Sequence, residues 1–135
     1  MLHADISPFA GRRVCVALSG GADSVALFLL FSENAEKLHI SLSAVNIEHG
    51  IRGKESLEDT AFVKSLCEKA GVPLLCFSAD IPALAKQSGR GVEETAREYR
   101  RGVFERLIKE GRTDIVATAH HAGDNAESVL LNVLR

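Results

Sequence analysis

Proline is scarce in this chain, at 3 of 135 residues, and charged residues make up only 25 %. That composition excludes a disordered tail or a low-complexity spacer. Long apolar runs are missing too. The longest, Val25–Phe31, falls far short of the roughly 20 residues needed to cross a bilayer. The start, Met1-Leu2-His3-Ala4-Asp5, has no basic segment leading into an apolar one, so no secretory signal is expected. The expected compartment is the cytoplasm. Cysteine is sparse and unpatterned: Cys15, Cys67 and Cys76 are odd in number and widely spaced. Such spacing suits neither a disulfide framework nor a C-x-x-C pair, and all three are expected to be inert core or surface residues.

What the chain does have is a 46 % hydrophobic content over the length of one domain, enough for one packed core. Its net charge of −2 argues against a wholly basic nucleic-acid binder, but the charge is uneven. Lys86–Arg112 holds eight basic residues against five acidic, a local +3, and Glu33–Asp80 holds eight acidic against five basic, a local −3. The basic stretch is either a solvated helix laced with i,i+4 charge pairs or a surface for a polyanion.

Short β-rich runs alternate with longer helical ones. Val14–Leu18 is a compact apolar run ending before Gly-Gly and predicts a buried strand. Ser24 to about Ala35 is apolar nearly all round and predicts a helix buried on a sheet. Ile40–Ile47 predicts strand two. Phe62, Val63, Leu66, Cys67 and Ala70 fall at helical spacing, with Gly71 placed to end that helix. Strand three is expected over Leu74–Phe77 after Pro73, and a short helix over Ile81–Gln87 before Gly89-Arg90-Gly91. A long helix follows, with Val92, Ala96, Tyr99, Val103 and Leu107 as its stripe. Strand four is expected over Asp114–Ala119. A last helix should start at Asp124, with Ala126, Val129, Leu130 and Val133 inward. Four β-α units with nearly continuous apolar strands predict an α/β fold, a doubly wound parallel sheet sandwiched by helices. Ligands of such sheets sit beyond the carboxyl ends of the strands. Three polar clusters fall there: Ser19–Ser24, Glu48–Arg52 and His120–Asp124.

Ser19-Gly20-Gly21-Ala22-Asp23-Ser24 joins strand one to helix one. Two glycines allow a tight turn and close approach to an anion, and the helix start offers amides and a positive dipole end. Ser19 and Ser24 add hydroxyls, and Asp23 is placed to hold Mg²⁺ beside phosphates. The plainer alternative is a Gly-Gly turn with Asp23 or Ser24 as helix cap. Neither a Walker lysine nor a G-x-G-x-x-G fingerprint is present. His120 and Asp124, at i,i+4, also fit a metal pair, and Asp124 with Glu127 also fits an acidic capping box.

The hexapeptide resembles the PP-loop of the ATP-pyrophosphatases, which cleave ATP between the α and β phosphates. Val45-Asn46-Ile47-Glu48-His49-Gly50-Ile51-Arg52 with Glu55-Ser56, then Glu94-Thr95-Ala96-Arg97-Glu98-Tyr99-Arg100, then Ala119-His120-His121-Ala122-Gly123-Asp124-Asn125-Ala126-Glu127, are similar to the N-terminal domain of the tRNA(Ile)-lysidine synthetase family. The departures are Ile51 for Leu, Ser128 for Thr, and Arg101 where an aromatic residue is common. The family chain normally runs on past the position of Arg135.

The resemblance implies one N-terminal ATP-binding catalytic domain over residues 1–135, expected to be truncated at its C-terminal end. It implies ATP and Mg²⁺ as cofactors and tRNA(Ile) and L-lysine as substrates, joined by a carbon–nitrogen ligation through an adenylated intermediate. By the same resemblance Ser19, Gly20, Gly21, Ala22, Asp23, Ser24, His49 and Arg52 bind ATP, with Asp23 on Mg²⁺. Asp124, His120 and Arg100 are catalytic, Glu127 receives the lysine ammonium, and Arg97 meets tRNA or phosphate. No membrane partner is expected, and a homodimer is kept as an expectation. Two alternatives stay open: a tRNA thiolation enzyme using the same loop, and a non-catalytic adenine-nucleotide sensor.

Overall fold

Val14, Cys15 and Val16 are all buried because their run fills both faces of a sheet at once. They form the centre of β1 (Arg13–Ala17). The computed structural model describes residues 5–49, 54–121 and 129–135. A 3-10 turn, Ser7–Phe9, precedes β1, and α1 (Ala22–Leu38) follows it. Next come β2 (Ser41–Glu48), α2 (Lys54–Ala70), β3 (Leu74–Ser78), α3 (Ile81–Ser88), α4 (Val92–Lys109), β4 (Ile115–His121) and β5 (Val129–Leu134).

The strand order is β3-β2-β1-β4-β5. β1 is parallel to β2 on one side and to β4 on the other, and β2 is parallel to β3. The chain therefore winds outward from β1 in both directions, so its order reverses between β1 and β4. This is the doubly wound α/β sheet that the sequence predicts.

Side-chain alternation along β1 separates two apolar layers. Val14 and Val16 pack with Leu27, Phe28 and Phe31 of α1 and Val63 and Cys67 of α2. Cys15 packs on the other face with Val103, Phe104 and Leu107 of α4. Phe31 is fully buried and stacks at a tilt on Phe9, with ring centroids 5.8 Å apart. Truncating such a side chain to alanine costs about 3–5 kcal/mol.

Four expectations are corrected. The segment around Val129–Val133 is not helical where described: Val129–Leu134 is a strand antiparallel to β4, in register from His121↔Val129 to Val116↔Leu134. Val133 packs on the α1 layer and its neighbour Leu134 on the α4 layer, a period of two. A short apolar run fits either structure by pattern, and pairing with the open edge of β4 decides it. β4 also runs to His121, so His120 lies within a strand rather than in the loop after it. Phe62 points outward, 49 % exposed, because α2 buries the Val63–Cys67 row one residue round the helix. Val92, 40 % exposed, stands at the first turn of α4, outside the buried stripe.

At the amino-terminal rim, Arg13 clamps β1 to the start of β4. Its Nη2 donates to Asp114 Oδ1 at 2.8 Å, its backbone N–H to Asp114 Oδ2 at 3.2 Å, and its Nη1 to the Gly111 carbonyl at 2.6 Å. Hydrogen bonding from the Arg13 side chain holds the Asp114 carboxyl below its ordinary range. A depressed carboxylate adds stability above its unfolded pKa and loses it as pH falls through the folded value. Asp114→Asn should therefore lower the thermal midpoint at pH 7. That deficit should close as pH drops below about 3.9, the ordinary aspartate value. Melting curves of the two proteins across pH 2–7 test this; a deficit constant with pH contradicts the clamp.

Candidate functional site

β1 ends where the strand order reverses, and its continuation Ser19–Ser24 lies at the carboxyl edge of the sheet. Leu18 still joins the sheet through its N–H to the Val45 carbonyl at 2.8 Å. Gly20 then takes φ +93°, a left-handed value favouring glycine. A Cβ on Gly20 would lie 3.2 Å from Asp59 Cβ, so α2 closes directly on the turn. Gly21 is the N-cap of α1 and has no side-chain cap bond. Asp23 and Ser24 are inside the first turn, which removes the alternative in which one of them caps the helix.

The loop is tied by a hydrogen-bond circuit. The Gly21 N–H donates to Ser19 Oγ at 3.3 Å, and Ser24 Oγ donates to the Gly21 carbonyl at 3.0 Å. The two hydroxyls are 3.1 Å apart, and the Ser19 N–H reaches Ser24 Oγ at 3.1 Å. Since the Ser24 proton goes to Gly21, the Ser19 hydroxyl is the donor between them. Ser24 is buried and its hydroxyl is used up within the loop, so it shapes the turn. Ser19 is exposed at the same turn. First-turn amides of α1 point out of the helix end, the arrangement that favours an anion.

Between this loop and α4 lies a cavity of about 750 Å³. Ser19, Ser24 and His49 line it together with Arg97, Arg100 and Arg101, and among the described residues no carboxylate does. Its deeper wall is apolar, with Ala17, Val45, Ile47, Phe104 and Val116. Glu105 accepts from Arg101 Nε at 3.1 Å, and Arg90 pairs with Glu98. Among the described residues, Arg97 and Arg100 have no ion-pair partner, so their charge is available to a ligand. A volume of this size, apolar inside and cationic at the rim, suits a small anionic ligand with an apolar part.

The structure thus brings Ser19, Ser24, His49, Arg97 and Arg100 around one cavity, with Gly20, Gly21, Ala22 and Asp23 completing the loop beside it. Arg52, Asp124 and Glu127 lie outside the described residues, and so does the capping box. The backbone of His120 is in β4, paired with Leu130, and its side chain is outside the description. Among the described residues no group of three His, Cys, Asp or Glu is placed to hold a metal ion. Asp23, half-buried in the first turn of α1, brings one carboxylate to the loop. That fits Mg²⁺, which commonly binds through one or two carboxylates plus phosphates. Sequence reasoning missed Arg101, Phe104 and Thr118 as lining residues. Arg97, Arg100, Arg101 and Phe104 stand at i, i+3, i+4 and i+7, one face of α4, and that spacing was the available signal.

Gly20→Ala should strain the turn by about 1–3 kcal/mol. Titrated with inorganic pyrophosphate, the variant should bind about tenfold more weakly than the parent, given 1.4 kcal/mol per decade. Unchanged far-UV circular dichroism would show the sheet intact. Equal affinities would mean that the loop does not hold the anion.

A family profile for the PP-loop domain matches residues 2–135. The chain is 38 % identical over 126 residues to a tRNA(Ile)-lysidine synthase of Clostridium perfringens, and 44 % identical over 124 residues to one of Porphyromonas gingivalis. These alignments take in 93 % and 92 % of the chain but only 27 % and 26 % of the relatives, so the chain spans about a quarter of their length. Among solved structures it resembles the U34-tRNA thiolase NcsA of Methanococcus maripaludis, with a TM-score of 0.67 at 21 % identity over 80 % of this chain and 38 % of that one. It also resembles an NH3-dependent NAD synthetase of Campylobacter jejuni, with a TM-score of 0.58 at 22 % identity over 76 % and 44 % of the two chains. Those two likenesses concern the fold. With a matching profile over nearly all its length and the Ser19–Ser24 loop at the switch point of its sheet, the chain belongs to the PP-loop domain family.

Proposed function

We propose that this domain is the N-terminal ATP-binding catalytic part of a tRNA(Ile)-lysidine synthase, acting in the cytoplasm. The observation that carries the reading is the likeness to these synthases over more than nine-tenths of the chain. The cationic cavity beside the phosphate loop supports it. Among the described residues no helix is long and apolar enough to cross a membrane.

In this reading the loop amides receive the ATP polyphosphate, the Ser19 hydroxyl turns from Ser24 to join them, and the apolar wall takes the adenosine end. Arg97 and Arg100 face the charge that develops as pyrophosphate leaves, with no reorganisation needed at that moment. Asp23 would hold Mg²⁺, which would supply Lewis-acid charge neutralisation to the phosphates. The C2 oxygen of the wobble cytidine attacks the α-phosphorus. The lysine ε-amine then displaces AMP at C2. That amine must be neutral to attack, and Asp124 is assigned as the nearby base; His120 and Asp124 serve adenylation, and Arg100 is a further catalytic residue. His49 and Arg52 contact ATP, Arg97 tRNA or phosphate, and Glu127 the lysine ammonium.

The sulfur-transfer alternative has less support. Burial pushes the Cys15 and Cys67 thiols up to about 11, which keeps both protonated at neutral pH. Cys76 is exposed on the edge strand β3, and none of the three lines the cavity.

The test is ATP–pyrophosphate exchange and lysine incorporation in the full-length protein carrying this domain, with tRNA(Ile) present. Glu127→Gln should raise KM for lysine about tenfold, the loss of one charge-assisted hydrogen bond. Exchange should change by less than about twofold, well under the 1.4 kcal/mol of one decade. Asp124→Asn should depress kcat. Lysine kinetics untouched by Glu127→Gln would reduce that residue to a helix cap, and nucleotide binding without exchange would favour the sensor.

A further inference from the structure

We infer that Asn46, a residue outside the cavity, positions the phosphate loop by fixing the point at which the main chain leaves the sheet. The inference rests on the reading of the loop as a nucleotide site. Asn46 is buried in β2, 3 % exposed. The backbone register between β1 and β2 ends at Ala17↔Val45. One residue on, the Leu18 carbonyl accepts from Asn46 Nδ2 at 2.9 Å. A side-chain amide thus extends the ladder one step past its backbone end. Because a carbonyl only accepts, the NH₂ must face Leu18, and the orientation of the Asn46 amide is fixed.

The other end of the amide is held as well. Asn46 Oδ1 accepts from the Thr60 hydroxyl of α2 at 3.3 Å. Thr60 adjoins Asp59, the residue against which Gly20 packs. Strand β2 and helix α2 therefore bracket the Leu18–Gly20 segment from two sides, through the Asn46 amide and the close approach of Asp59 to Gly20. Leu18 itself is buried, so its carbonyl has no solvent to fall back on. An unmet carbonyl there is expected to turn toward another donor and carry Ser19 with it. Asn46 does not line the cavity, so it is a positioning residue, not a catalytic one.

Asn46→Asp tests this, since it keeps the shape but leaves an acceptor facing the Leu18 carbonyl. Thr113→Val is the control. Its buried hydroxyl lies 3.1 Å from the Arg13 carbonyl and 3.0 Å from the Ile115 carbonyl, at the far rim of the same sheet. In the 135-residue chain, ATP affinity is measured by calorimetry and amide hydrogen exchange by NMR without nucleotide.

Asn46→Asp should weaken ATP binding about tenfold and speed exchange at Gly20, Gly21 and Ala22 by a similar factor, leaving Val14–Val16 near the parent rate. Thr113→Val should lower stability yet leave ATP affinity within about twofold, under the 1.4 kcal/mol of one decade. Should Asn46→Asp fail to fold, Thr60→Val removes the donor to Asn46 Oδ1 and should shift affinity and loop exchange the same way, by about threefold, as a neutral hydrogen bond allows. Loop exchange and affinity at parent values, or exchange raised evenly along β1, would overturn the inference. If the parent chain itself bound no ATP, the nucleotide reading would fail. The exchange comparison would still decide the role of Asn46.

Discussion

Everything at the carboxyl edge of this sheet depends on how β1 is held. It has parallel partners on both sides at the point where the strand order reverses, and its two faces feed both apolar layers. With Val14, Cys15 and Val16 locked by packing, the direction in which Ser19 leaves is determined by few bonds. Backbone pairing to Val45 sets the approach, and the positive φ of Gly20 sets the turn. The serine circuit then sets the entry into α1. The cost of ordering this exit is met by burial elsewhere, so the loop can present amides outward rather than bury them.

The electrostatics follow from the same geometry. α1 leaves the loop with its positive end toward the cavity, and α4 crosses the opposite face of the sheet with three arginines on the cavity side. Acidic residues of α4 stand at other positions, two of them paired with Arg90 and Arg101. A chain with net charge −2 thereby has a locally cationic pocket. Fixed cations and amides aimed at one volume favour negative charge appearing there.

The β-α alternation was legible because parallel strands buried on both faces read as short continuous apolar runs, and β1 to β4 fall where those runs lie. α1 runs three residues past Ala35 because His39, not a glycine, takes the left-handed cap position, φ +55°. That stop left no signal in the residue type. Phe62 misled because a large apolar side chain at helical spacing fits either edge of a stripe, and only the packing of α2 on β2 selects Val63. The last segment was illegible for a different reason. Val129–Leu134 is apolar at every position except Asn132, and its conformation depends on pairing with a partner edge that the pattern does not reveal. At the site, the tight Ser19–Ser24 turn was readable from its glycines and hydroxyls between a strand and a helix. The positioning role of Asn46 was not, since a polar residue inside an apolar strand shows its partners only in three dimensions.

On the reading proposed above, a polyphosphate binds between the Ser19–Ser24 loop and the arginines of α4. A titration of the ¹⁵N-labelled chain with ATP, followed by amide and arginine Nε resonances, tests it most directly. Saturable shifts are expected at Gly20, Gly21 and Ser24 and at the Nε groups of Arg97 and Arg100, with Thr113 and Asp114 at the opposite rim unmoved. Saturable shifts at that rim, with the loop and the α4 arginines silent, would contradict it.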